Sequence, residues 1–161
     1  MRVRIEVETR QELPQTAYDA TRQQYNAAIL LEGILKKITI GTATERVIVV
    51  VDVDLFIPGV DFVYGFSDAK KGIGVISVKR LKDTSGDHKP DDGLFYDRAV
   101  KVAVAEIGHS LGLAICSQPR CVMNPAGSQS EIDKKKNTYC IDCRKKLRLR
   151  YSGCMFTLPT F

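Results

Sequence analysis

Four cysteines in two close pairs constrain this chain more than any other feature. Cys116 and Cys121 flank a four-residue gap, and Cys140 and Cys143 flank a two-residue gap. Pairs of this kind are a common arrangement for four thiolates around one tetrahedral Zn²⁺, closed to solvent. Such a centre ties residue 116 to residue 143, because the binding free energy of a structural metal is also folding free energy. The other chemistry open to four thiols is two disulfides, which need an oxidising compartment. The N-terminus, Met1-Arg2-Val3-Arg4-Ile5-Glu6-Val7-Glu8, alternates like a strand and lacks the apolar core of a signal peptide. The expectation is a cytoplasmic protein holding one structural zinc on these four residues.

The stretch just before the first pair carries a second metal pattern, in incomplete form. It reads Ala105-Glu106-Ile107-Gly108-His109-Ser110-Leu111-Gly112-Leu113-Ala114-Ile115-Cys116. Residues at i and i+4 share a helix face, so histidines at 105 and 109 could both reach one Zn²⁺. A glutamate at 106 could act as general base on the zinc-bound water. A glycine three residues past 109 lets the helix end in a left-handed turn and deliver a third ligand from 115. Glu106, His109 and Gly112 are present. Ala105 and Ile115 stand where the other two histidines of H-E-x-x-H-x-x-G-x-x-H would be. A catalytic zinc needs about three protein ligands and an open position. One structural zinc and no catalytic zinc is therefore expected, and Glu106 with His109 would be a polar pair on a helix surface.

Together these elements resemble the archaemetzincins, a family of metzincin zinc peptidases that joins such a helix to C-x4-C-x-M and a later C-x-x-C. The chain carries Cys116, Cys121, Met123, Cys140 and Cys143 in that pattern, with a gap from Met123 to Cys140 one residue shorter than usual. Asp54-Leu55-Phe56-Ile57-Pro58-Gly59-Val60-Asp61-Phe62-Val63-Tyr64-Gly65 also looks like the family's central strand and loop. The resemblance covers most of residues 45–150. It implies a compact metzincin-like fold, a four-cysteine zinc, a methionine turn at Met123 and, in intact members, a three-histidine catalytic zinc. It also implies that the strand Ile73–Leu81 lines the cleft rim and pairs with extended peptide. Two other functions stay open: an active peptidase that borrows ligands such as His88 or an aspartate of its loop, and a zinc-knot nucleic-acid binder.

A chain of 161 residues suits one α/β domain spanning residues 1–161. The expected fold is a twisted mixed sheet of four to five strands, a backing helix, the zincin helix and a C-terminal helix. Strands are expected over Arg2–Glu8, Arg46–Val53 and Ile73–Leu81, with a further short one near Phe62–Phe66. The run Val47-Ile48-Val49-Val50-Val51 suits a strand covered on both faces. Lys79 and Arg80 suit an exposed sheet edge. Helices are expected over Thr16–Lys37, Phe95–Leu111 and Thr138–Arg150. On the second, Val100, Val104, Ile107 and Leu111 form the core-facing stripe. Gly108 is unfavourable in a helix interior by about 1 kcal/mol, so close packing should require it.

No apolar run is long enough to span a membrane, so no membrane partner is expected. The net charge is +5, and Lys134, Lys135, Lys136, Arg144, Lys145, Lys146, Arg148 and Arg150 carry much of the excess. Such a run reads first as a solvated face, and nucleic acid is the less favoured partner because little aromatic surface is interleaved with it. Extended peptide in the cleft is the partner the resemblance implies. Cys154, the fifth cysteine, reads as a small buried hydrophobe in a tail, Ser152–Phe161, that packs on the domain.

Overall fold

A computed structural model of the chain describes residues 12–38, 45–82 and 91–151. The strand expected over Arg2–Glu8, the loop histidine His88 and the tail with Cys154 lie outside the described residues. Among the described residues the strands form two three-stranded sheets rather than one larger sheet. The first joins β1 (Tyr18–Asp19), β2 (Gln24–Asn26) and β4 (Leu55–Phe56). The second has the order β3 (Val47–Val51), β6 (Ile73–Ser77), β5 (Gly65–Asp68), with β3 parallel and β5 antiparallel to β6. No described helix is long and apolar enough to cross a membrane.

Helices cover both faces of the second sheet. Leu30, Leu31 and Ile34 of α1 (Ala27–Leu35) meet Val51, Ile73 and Val75 on one face. On the other, Val102 of α2 (Asp92–Ser110) and Ile132 of α3 (Gln129–Lys134) meet Ile76 and Leu81. Successive side chains of a strand point to opposite faces, which is how β6 serves two cores at once.

All five residues of β6 are buried, and β6 is the central strand. The β-branched run of β3 lies at an edge of the sheet and is covered on both faces except at Val50: Val47, Val49 and Val51 pack on the α1 side and Ile48 on the α2 side, while Val50 is 60% exposed. The central strand is less aliphatic than this edge strand, because β6 fills its place with Gly74 and Ser77 as well as aliphatics. Ser77 satisfies its hydroxyl by donating to the Val53 carbonyl at 2.6 Å. Lys79 and Arg80 therefore protect no edge of β6, and β6, paired on both sides, has no free edge over Ile73–Ser77 for an extended peptide. The Arg80 guanidinium makes a fork to the Asp54 carboxylate, both distances 2.6 Å, and lies over the Phe62 ring. The antiparallel strand at the other edge is β5.

The first α-helix starts at Ala27, not at Thr16, which lies in a single 3-10 turn over Gln15–Ala17. Asp19 Oδ1 accepts from the Thr21 and Arg22 backbone N–H groups, and Gln23 takes a left-handed φ of 54°, which turns the chain into the β1–β2 hairpin. Asn26 then caps α1 by accepting from Ala28 and Ile29. Side chain to backbone bonds outcompete α-helix propensity over most of the stretch from Thr16 to Asn26.

Candidate metal centre

The helix that ends in the candidate site begins at Asp91, whose carboxylate caps α2 by accepting from Leu94 N–H at 3.1 Å. Asp91 is thus engaged in starting the helix, and Asp92 is its first residue. Along α2 three residues of the expected aliphatic stripe pack inward, Leu111 buried and Val104 and Ile107 against the cluster of Met123 and the cysteines, but they share the interior with charges. Arg98, Lys101, Val102, Ala105 and Glu106 are buried, whereas Val100 is 47% exposed. The charges go inside because partners wait there. Asp133 takes Arg98 in a fork with both distances 2.7 Å, and Lys101 pairs with Asp97 and donates to the Asp133 carbonyl. Hydrophobic periodicity cannot register a buried ion pair, so it finds Val104, Ile107 and Leu111 but not the buried Arg98 and Lys101.

At its C-terminus α2 closes with a Schellman arrangement. Gly112 has φ +82°, its N–H reaches the His109 carbonyl at 2.8 Å, and Leu113 N–H reaches Gly108 at 2.9 Å. The turn expected at Gly112 is present. Arg150 donates to the Leu111 and Gly112 carbonyls, and Tyr151 Oη bonds the former, so the end of the last described helix caps α2. The chain then loops back: Cys116 N–H meets the Met123 carbonyl at 2.9 Å and Val122 N–H meets Thr138 at 3.1 Å. That last described helix, α4 (Ile141–Arg150), starts with Cys140 as its N-cap and Cys143 in its first turn.

These connections bring Cys116, Cys121, Cys140 and Cys143 together, as expected from their spacing. Their four Sγ atoms lie within 4.8 Å of one another, and no other described group of this kind could hold a metal. Cys116 and Cys140 are 3.8 Å apart, as are Cys121 and Cys143. Thiolates about 2.3 Å from one tetrahedral ion would sit about 3.8 Å from each other. The four thiols therefore fit a metal, and all four are free rather than disulfide-bonded. The Cys143 backbone N–H at the start of α4 draws the Cys140 thiol down to about 7. Burial pushes Cys121 and Cys143 the other way. A bound divalent cation would hold all four as thiolates and override that difference.

The residues of the interrupted histidine pattern sit on α2 directly before this centre. Glu106 and His109 do not form a surface pair. Glu106 is 8% exposed and lies under β5, where Ser67 Oγ approaches its Oε2 at 2.6 Å and its carbonyl at 3.0 Å. Burial raises the Glu106 carboxyl above the usual carboxylate range, and the Ser67 bond and the charges of His109 and Lys135 offset part of that. His109 Nδ1 bonds the Leu113 carbonyl at 3.0 Å. A carbonyl only accepts, so Nδ1 carries the proton and Nε2 keeps its lone pair in the neutral ring. Ala105 is buried with only a methyl group to offer, and Ile115 is 69% exposed. Neither supplies a donor atom.

Met123 is fully buried beside Gly108, and Tyr139 donates its hydroxyl to the Val104 carbonyl at 2.7 Å. Two supporting residues were invisible in the sequence. Ser67 comes 39 residues before the carboxylate it bonds. Lys135 sits in a run of three lysines read as solvated, yet it alone of the three is buried. Its ammonium donates to the Val122 and Asn124 carbonyls on either side of Met123. Only tertiary contact separates it from Lys134 and Lys136.

Residues 2–149 match Peptidase family M54. The archaemetzincin of Aeropyrum pernix is 37% identical over 144 residues, covering 88% of this chain and 75% of its own. The crystal structure of the archaemetzincin from Methanopyrus kandleri superposes with a TM-score of 0.77 at 33% identity, covering 88% of this chain and 73% of that one. The structure of a zinc-dependent peptidase from Methanocorpusculum labreanum gives 0.73 at 29% identity, covering 81% and 78%.

Proposed function

The chain belongs to peptidase family M54, the archaemetzincins, and we propose that it keeps the family's fold and four-cysteine zinc while lacking a working catalytic zinc. In this reading it hydrolyses peptides little or not at all, and holds an extended peptide along its cleft. The observation that carries the reading is the pair Ala105 and Ile115. With both at histidine positions, His109 is the one imidazole left on the motif, and one imidazole on a rigid helix cannot replace three convergent ligands. The residues at this position do not fit a catalytic zinc. Glu106, in the place of the general base, then has no polarised water to act on.

The structural zinc would be held by Cys116, Cys121, Cys140 and Cys143, and would clamp the exit of α2 to the start of α4. Met123, packed on α2 between those cysteine pairs, takes the part of the methionine turn. Peptide binding finds its support in β5. That strand ends its sheet, and no described strand pairs with its outer edge. An open antiparallel edge accepts an added strand through backbone hydrogen bonds. Ser67 links the same strand to Glu106 on α2.

Zinc counted per chain, in protein first stripped and then repleted, tests the metal part of the proposal. One zinc is expected, with no chelator-sensitive cleavage of a peptide library. Two zincs per chain and cleavage abolished by His109→Ala would overturn it in favour of a peptidase with borrowed ligands.

A further inference from the structure

The chain has 24 Lys and Arg against 19 Asp and Glu. Residues 134–151 hold eight of those bases and one acid, Asp142, leaving 16 bases and 18 acids elsewhere. The whole positive excess thus comes from one segment, and the rest of the protein is slightly negative. Much of that segment is α4. Only Cys143 and Leu147 of this helix are buried, while Arg144, Lys145, Lys146 and Arg148 are exposed. None of these four forms an ion pair among the described residues.

The helix is held rigidly at both ends. Cys140 and Cys143 fix its start at the four-thiol centre, and Arg150 with Tyr151 fixes its end on the Leu111 and Gly112 carbonyls. Ten residues give a rod about 15 Å long. Arg144 and Arg148 lie one turn apart, about 6 Å. Four cations with no ion-pair partner among the described residues, carried on a preorganised rod, cost little ordering entropy on binding a linear array of negative charge. We infer that the exposed face of α4 is a docking surface for the phosphate backbone of duplex nucleic acid.

Duplex is favoured over single strands because the segment offers no stacking platform. Tyr139 is half-buried with its hydroxyl on Val104, and Tyr151 is tied to Leu111. Unpaired bases need exposed aromatic faces, and a duplex backbone does not. The missing aromatics that weighed against nucleic acid in the sequence therefore weigh only against its unpaired form. Ile141 and Leu149 are the apolar groups on the helix surface, 62% and 81% exposed. They stand eight positions apart, with cations between, and are too few to bury a helix face in lipid.

The test is fluorescence anisotropy with a labelled 20-base-pair DNA of mixed sequence, at 50 and 200 mM KCl. Four phosphate contacts predict a log–log salt slope of about −3.6, a loss on the order of 100-fold between the two salts. Arg144→Glu with Lys145→Glu and Arg148→Glu should weaken binding at least tenfold and flatten the slope, with zinc content and melting temperature kept. Lys36→Glu with Lys70→Glu and Lys79→Glu changes the net charge equally, at exposed lysines elsewhere, and should stay within about threefold of the parent. Equal loss in both triple variants would reduce the effect to net charge and overturn the assignment. So would absence of binding at 50 mM KCl, or loss of zinc from the α4 variant, which would make the cations servants of the thiolate centre. Tighter binding to phosphatidylserine vesicles, collapsing in Leu149→Ser, would replace the duplex with a membrane.

Discussion

Met123 lies so close to Gly108 that a β-carbon on the glycine would meet the methionine sulfur at 2.5 Å. Tyr139 Cε1 would be 2.9 Å away on the same side. The absence of a side chain at 108 is what lets the loop after the first cysteine pair press against α2. The sequence predicts close packing at this glycine, because nothing else would keep it in a helix interior.

Gly108→Ala pits two effects against each other. Alanine gains about 1 kcal/mol of helix propensity over glycine. Overpacking a filled core costs about 1–3 kcal/mol, and Met123 is 1% exposed, with little room to retreat. Net destabilisation of about 1 kcal/mol is expected by chemical denaturation, relieved when Met123→Ala is added. A more stable single variant would show that Met123 yields freely and is not packed as described.

Cys121→Ser removes one of two buried thiols from the four-cysteine group. Structural zinc sites contribute on the order of 10 kcal/mol of apparent binding free energy in small zinc domains. Loss of one ligand should release the metal, lower the melting temperature by tens of degrees, and mimic treatment of the parent with a strong chelator. If the variant retains both its zinc and its melting temperature, these four cysteines do not form the centre.

How far the sequence could be read follows from the range of the signals. The four-cysteine group, the Gly112 turn and the end of α2 rest on residues close in the chain, and they stand where spacing put them. The cap of α2 fell three residues earlier than expected because Asp91 competes well as an N-cap. The errors share one cause. β6 as the central strand, the buried face of α2 with Arg98 and Lys101, and Glu106 under Ser67 all depend on partners about 20 to 40 residues away. Periodicity treats each charge as solvent-seeking and each aliphatic run as core, and it registers no such partner.

Glu106→Gln should change the pH dependence of stability. The native carboxyl holds its proton to higher pH than the unfolded chain does, because burial disfavours the charged form. That contribution is fully present below the unfolded value, about 4.3, and is lost as pH rises through the raised native value. Glutamine stays neutral and can keep a bond to Ser67. The variant should match the parent near pH 4 and exceed it at pH 8 in urea-unfolding midpoints. Identical pH profiles would mean that Glu106 is as well solvated as an ordinary surface carboxylate.

The ligand positions left by Ala105 and Ile115 allow the site to be rebuilt. Ala105→His restores the i, i+4 pair with His109 on one helix face. His109 is already set for ligation, since metal-binding histidines commonly donate their other ring N–H to a carbonyl, as Nδ1 does here to Leu113. Ile115→His costs little packing, because Ile115 is 69% exposed beyond the Gly112 turn. Ala105 is 8% exposed, so the larger ring there carries an overpacking cost of about 1–3 kcal/mol, and the variant must be shown to fold. The folded double variant should bind a second zinc, each single variant binding it more weakly. Activity need not follow, because Glu106 is already engaged by Ser67. A folded double variant with one zinc per chain would mean that residues 105, 109 and 115 do not converge, and the three-histidine geometry inferred for this helix and turn would have to be given up.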